Sequence, residues 1–178
     1  MMHRQIVGAG NKVERVMGQQ IPSSSGSSRH DDLVEHIYAA LEDSREWSAA
    51  VGRLAKHCGG EHGRVTVWND ANGRFEFSGA SDEFRSRMWS DYQRYYQAID
   101  PRRKGLLPLP EHQVYYCHDY FDHNYVNRSE FYQDFLLPHD QRYAMGTRLR
   151  VEWPLQAFVW VYRPAKSKPF TDREGQKL

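Results

Sequence analysis

Residues 143–163 read YAMGTRLRVEWPLQAFVWVYR. Leu149, Val151 and Trp153 alternate with Arg148, Arg150 and Glu152, the period of a strand that buries one face only. Phe158-Val159-Trp160-Val161-Tyr162 is nearly continuous in apolar residues and reads as a central strand. Pro154-Leu155 joins the two segments tightly. Tyr143–Trp153 and Ala157–Arg163 are therefore expected to form two long antiparallel strands.

Upstream, Val65 and Val67 alternate with Thr66, and Phe75 and Phe77 alternate with Glu76. Asn69-Asp70-Ala71-Asn72-Gly73 between them is turn chemistry, so this is a hairpin. Gln113–Asp119 reads as a fifth strand. Leu33, Ile37, Ala40 and Leu41 recur at helical spacing. Asp43 followed three residues later by Glu46 resembles a capping box, opening a helix with Trp47, Val51, Leu54, Ala55 and Cys58 on one face, and Gly59-Gly60 stops it. Ser81 is expected to cap a long helix whose stripe is Phe84, Met88, Tyr92, Tyr95 and Ile99, ending by Asp100 because Pro101 disfavours helix before it. Lys104–Pro110 reads as a loop. Asn127 caps a helix carrying Phe131, Tyr132, Phe135 and Leu136, which Pro138 stops. Thr171 to Glu174 is a capping box for a last helix. The order ααββαβαββα makes an α+β fold: a five-stranded, mainly antiparallel sheet with helices packed on it.

The chain has 178 residues, with 24 Lys+Arg against 23 Asp+Glu. That length suits one domain. A net charge of +1 argues against a surface built to track a phosphate backbone. No apolar run approaches the about 20 residues needed to cross a bilayer, and Met1 to Gly10 lacks the apolar stretch of a secretory signal. Two cysteines, Cys58 and Cys117, make no disulfide framework, so a reducing cytoplasm is expected. Residues 1–30 read as a flexible arm, too small and polar at 21–28 to bury anything. Residues 31–178 form the expected domain.

Tyr116-Cys117-His118-Asp119-Tyr120-Phe121-Asp122-His123 gathers Cys, two His and two Asp, all able to ligate Zn or haem iron. The spacing matches no metal motif, and strand alternation sends Cys117 and His118 to opposite faces. Neither cysteine sits in a nucleophile motif, and Gly8-Ala9-Gly10 is not a phosphate loop. No enzyme is expected, no catalytic residue is assigned, and no cofactor is implied. The aromatic set is unusual: 11 Tyr, 8 Phe and 5 Trp. A buried phenol must find a partner or cost about 1–3 kcal/mol, so a core meant only to pack would favour Leu and Phe. Several Tyr and Trp together suit an apolar cavity with a few directional polar groups.

Asp100-Pro101-Arg102, the run Asn127 to Pro138 with its SEFYQDFLLP core, Met145-Gly146-Thr147-Arg148-Leu149 and Phe170 to Glu174 resemble the N-terminal sensory region of LuxR-type transcriptional regulators. The resemblance covers residues 31–178. It implies a GAF/PAS-like sensor domain ending in a linker helix, followed in that family by a helix-turn-helix DNA-binding domain that this chain, stopping at Leu178, is expected to lack. It also implies a homodimer, with DNA bound only through that absent domain. One subfamily binds acyl-homoserine lactones through a Trp, a Tyr and an Asp-Pro. Here Asp100-Pro101 matches, and Trp89 and Tyr92 precede it more closely than that signature has them, which points to the wider group that senses other small, often apolar or aromatic compounds. The expected ligand site has Trp89, Tyr92, Tyr96, Phe131 and Trp160 as walls, with Tyr116 and Asp100 as polar contacts. The alternatives are a ligand-free dimerisation module, using the first and last helices, and a haem- or metal-based sensor using His118 or His123.

Overall fold

A computed structural model describes residues 25–81 and 86–178. Helix α1 (Ser25–Glu42) leads to α2 (Trp47–His57), hairpin β1 (His62–Asn69) and β2 (Arg74–Ala80), a helical run α3 (86–99), α4 (Pro101–Leu106), β3 (Val114–Tyr116), α5 (Cys117–Tyr120), α6 (His123–Arg128), α7 (Phe131–Leu136), β4 (Tyr143–Leu149), β5 (Leu155–Arg163) and α8 (Asp172–Gly175). The five strands form one sheet in the order β2-β1-β5-β4-β3, every neighbour antiparallel. This is the α+β architecture expected. Among the described residues no helix is long and apolar enough to cross a membrane.

β5 is the centre, as its apolar run implies. Its register places Val159 opposite Val65 and Trp160 between Arg64 and Gly146. Because side chains alternate along a strand, β5 serves two cores. Val159 and Val161 face a layer holding Val51, Ala55, Cys58, Met145 and Phe170, to which α2 and the terminal segment contribute. Phe158, Trp160 and Tyr162 face the larger core, with Met88, Tyr92, Leu106, Phe131, Tyr132 and Phe135 from α3, α4 and α7. Both faces of the sheet are covered.

The local sequence explains most boundaries. Asp43 accepts a hydrogen bond from the Arg45 N–H at 2.9 Å, capping a tight turn that runs into α2. In the β1–β2 turn Asn69 and Asn72 side chains accept from the Ala71 and Arg74 N–H groups, and Gly73 takes φ +67°. Thr171 and Glu174 form the capping box of α8.

Several boundaries differ from the sequence reading. α1 begins at Ser25, inside the stretch read as an arm; residues 1–24 lie outside the described residues, as does Phe84 with any helical start after Ser81. The 104–110 loop is half helix, since Asp100 caps α4 by accepting from the Arg102 N–H and Pro101 sits in its first turn. β3 stops at Tyr116, and Cys117 and His118 belong to α5 rather than to opposite strand faces. Asn127 is no cap: α6 runs through Arg128, and the break falls at Ser129, with extended φ −88° and ψ 116°. β4 ends at Leu149 and is buried on both faces at Ala144, Met145, Gly146 and Thr147, because β3 and β5 flank it. The alternation at 148–153 belongs instead to the solvent end of the hairpin, where Trp153 is 75% exposed.

Candidate functional site

A cavity lies between the sheet face carrying Phe158, Trp160 and Tyr162 and the helices α3, α4 and α7. Its enclosed volume is about 30 Å³, room for about two water molecules. A larger occupant therefore has to move wall side chains.

The walls are aromatic. Trp89 stacks on Tyr92 at 5.4 Å, and Phe75 of β2 meets Trp89 edge-on at 4.9 Å. Trp160 closes the floor from β5, with the ring of Tyr162 stacked beside it at 6.5 Å. The two helical segments facing each other here are wound with π geometry, Tyr92–Tyr96 and Phe131–Leu136. Such single-turn π segments are rare and are found frequently at functional sites. They bring Phe135 into stacking with Tyr92 at 5.7 Å and with Tyr96 at 4.5 Å.

The polar groups form one buried network. Asp100, at the C-terminal end of α3, accepts from the backbone N–H of Arg102 at 2.9 Å, from its Nε at 2.9 Å and from its Nη2 at 2.7 Å. Tyr92 Oη donates to Asp100 Oδ2 at 3.0 Å. Arg102 lies under three rings, with its Cζ 4.7 Å from Phe131, 5.1 Å from Trp160 and 5.7 Å from Tyr162. Burial works against the Arg102 charge, but Asp100 outweighs it and holds the guanidinium well above its ordinary range. Burial, reinforced by Asp100, pushes the Tyr92 phenol up, so it stays a donor. Arg64 of β1 reaches in from the sheet, its Cζ 4.3 Å from the Trp89 ring. Burial pulls Arg64 down to about 9, and it still carries its charge at neutral pH.

Of the residues expected from sequence, Trp89, Tyr92, Asp100 and Trp160 line this cavity. Tyr96 and Phe131 stand behind the lining, on Phe135 and Arg102. Tyr116 is elsewhere. Adjacent residues of a strand point oppositely, so Tyr115 faces the cavity side, edge-on to Trp160 at 6.1 Å, while Tyr116 packs in the other core against the terminal segment. The sequence reading missed Arg64, Thr66, Phe75, Arg102, Gln141 and Tyr162. Alternation alone puts Thr66 on a solvent side; β1 is interior, so Arg64 and Thr66, which share that face, are buried. Arg102 stands in the Asp100-Pro101-Arg102 motif, and its position in the first turn of a capped helix, two residues after the cap, was the available signal.

The Cys/His/Asp cluster does not converge. The Cys117 thiol is buried and accepts from the Ala144 N–H at 3.0 Å. His118 lies 3.6 Å from Asp119, beside the ring of Tyr143, while His123 pairs with Asn127. Among the described residues no group of three His, Cys, Asp or Glu side chains is placed to hold a metal ion.

A five-stranded antiparallel sheet with an aromatic cavity between one face and a helical cover defines an α+β class of domain. Within that class the fold is that of the ligand-binding domains of LuxR-family regulators. The chain superposes on the N-acylhomoserine-lactone-dependent LuxR-family transcription factor CepR2 of Burkholderia cenocepacia with TM-score 0.62 and 12% identity, over 85% of this chain and 87% of that one. The ligand-binding domain of VqsR from Pseudomonas aeruginosa matches with TM-score 0.57 and 10% identity, over 82% of each chain. Escherichia coli SdiA matches with TM-score 0.57 and 15% identity, over 86% of this chain and 63% of SdiA. SdiA in complex with octanoyl-rac-glycerol is similar too, with TM-score 0.56. No protein-family model and no curated protein sequence matches the chain.

Proposed function

We propose that the chain is the sensory domain of a LuxR-type transcriptional regulator: it binds a small organic effector in the Trp89–Trp160 cavity, carries out no catalysis, works in the cytoplasm, and governs a DNA-binding domain joined after residue 178. The observation that carries this reading is the cavity itself. Aromatic walls surround a buried, directional polar network, and neither α3 nor α7 keeps regular helical geometry where it borders the space. The fold supports it, since the similar proteins include one described as dependent on an acylhomoserine lactone and one bound to an acylglycerol. Ligand binding would tighten β5, whose opposite face anchors α8, and so bias the geometry of a DNA-binding domain attached beyond α8. Self-association belongs to the same reading: Val34, Tyr38 and Leu41 stand exposed on α1 at helical spacing, an apolar stripe suited to a second copy.

The test is a thermal-shift and calorimetric screen of the purified chain against acylhomoserine lactones, acylglycerols, small aromatic acids and steroids. At a hundredfold excess over Kd a ligand adds about 2.7 kcal/mol, which for this chain length raises Tm by about 5–10 °C. Trp89→Ala, at a half-buried wall, should abolish the rise without unfolding the domain. A flat response across the panel would refute the reading.

A further inference from the structure

We propose that the cavity takes a small organic anion, a carboxylate carried on an apolar or aromatic body, and that Arg102 rather than Asp100 is the group that meets it. This rests on the sensory reading above. The two oxygens of a carboxylate offer about four acceptor positions. All four on Asp100 are filled: Oδ1 by the backbone N–H and Nε of Arg102, Oδ2 by Arg102 Nη2 and Tyr92 Oη. Asp100 has nothing left to offer a ligand N–H, and its role is to position Arg102.

Arg102 is the reverse case. Its Nε and Nη2 are spent on Asp100, while Nη1 is buried with no hydrogen-bond partner. The side chain is 4% exposed and lines the cavity. A buried cationic donor without an acceptor is costly, and a ligand oxygen at Nη1 removes that cost.

Charge selects the kind of oxygen. The described cavity lining holds three guanidinium groups, Arg64, Arg102 and Arg103, and one carboxylate, Asp100. Arg64 and Arg102 are close enough for the second charge to weigh on the first. A carbonyl would satisfy the hydrogen bond and leave that repulsion in place. A carboxylate satisfies both, with the geometry that guanidinium groups match best. The rest of the molecule would lie against Trp89, Phe75 and Trp160. Gln141, also lining the cavity, has Oε1 buried without a donor and suits a hydroxyl on that body.

The experiment compares acids with their own primary amides on the unaltered chain, so that it does not depend on a variant folding. Benzoate, salicylate, phenylacetate, cinnamate and octanoate are titrated calorimetrically beside the matching amides, an acylhomoserine lactone and an acylglycerol. The expected result is at least one acid binding saturably, about 10- to 100-fold more tightly than its amide, with the preference lost in Arg102→Gln and reduced in Arg64→Gln. Saturable binding of the lactone or acylglycerol, with acids no better than amides, would overturn the anion proposal and leave the sensory reading standing. Binding of no compound in the set would overturn the proposal and count against the sensory reading as well.

Discussion

Gly146→Ala is the substitution whose consequence can be worked most closely. Gly146 pairs with Trp160 across β4 and β5. A methyl group there would come within 2.5 Å of Trp160 Cε3 and 2.8 Å of Cδ2. Carbon atoms in contact sit about 3.5–4.0 Å apart, so the ring must retreat by about 1 Å. Its free side is the cavity, where about 30 Å³ is open and the Arg102 Cζ waits at 5.1 Å from the ring. Overpacking of this kind costs about 1–3 kcal/mol, a fall in Tm of about 2–12 °C at this chain length. Urea unfolding followed by Trp fluorescence measures the stability, and near-UV circular dichroism reports the indole. Shrinking the ring in Trp160→Phe should relieve the clash, so the double variant should lose less than the two single changes added together. An unchanged unfolding midpoint together with an unchanged near-UV spectrum for Gly146→Ala would show that the indole does not rest on this strand.

Three further outcomes are expected. Asp100→Asn leaves the buried Arg102 guanidinium without its counter-charge and should cost about 3–5 kcal/mol in chemical denaturation; a loss below about 1 kcal/mol would mean the pair is not buried. Glu174 is held down to about 2 from the usual 4.5, chiefly by its hydrogen bond from Arg163 and against the effect of burial. With the folded value depressed, its contribution is complete above about pH 4.5 and is lost as the pH falls toward 2, so wild type should exceed Glu174→Gln by about 1–2 kcal/mol at neutral pH and by almost nothing at pH 2; a gap that persists in acid would refute this. Burial pushes the Cys58 thiol up to about 11 and raises Cys117 as well, so neither should be alkylated by iodoacetamide in the native chain at neutral pH, and both should react promptly in urea.

The sheet was legible because its evidence is local. Period-two alternation at 65–77 and the apolar run at 158–162 needed no partner to be read, and the central place of β5 followed from its being apolar on both sides. The capping box at Thr171 was legible for the same reason, as was the cap at Asp43, although it binds the Arg45 N–H rather than closing a box with Glu46. What failed was burial imposed by neighbours. β1 lies between β2 and β5, and nothing within Arg64-Val65-Thr66 tells that Arg64 faces a covered side. Tyr115 and Tyr116 differ only by strand parity, which a shift of one residue inverts. The short helices α4, α5 and α6 lack a full apolar period, so the pattern read loop or strand where Asp100 and Asp122 side chains cap brief turns. Half of the site, the aromatic half, was visible as composition. Of the charged half only Asp100 was read; the arginines were not, because a buried arginine looks in sequence like any surface arginine.

The cavity and the terminal helix share β5. Tyr162 points to the cavity side, 5.7 Å from the Arg102 Cζ. The next residue, Arg163, points the other way. It donates through Nε to the Gly59 carbonyl at 2.6 Å and through Nη2 to Glu174 Oε1, and its Cζ lies 4.0 Å from the Phe170 ring. One side chain thus ties β5 to the end of α2 and to α8. Gly59 is glycine for that reason: it has φ +75°, and a Cβ there would meet Arg163 Nη2 at 2.6 Å. An occupant that shifts Tyr162 acts one residue from the anchor of α8. No long chain of contacts is needed between the two places, because a rigid strand paired on both edges moves its two faces together.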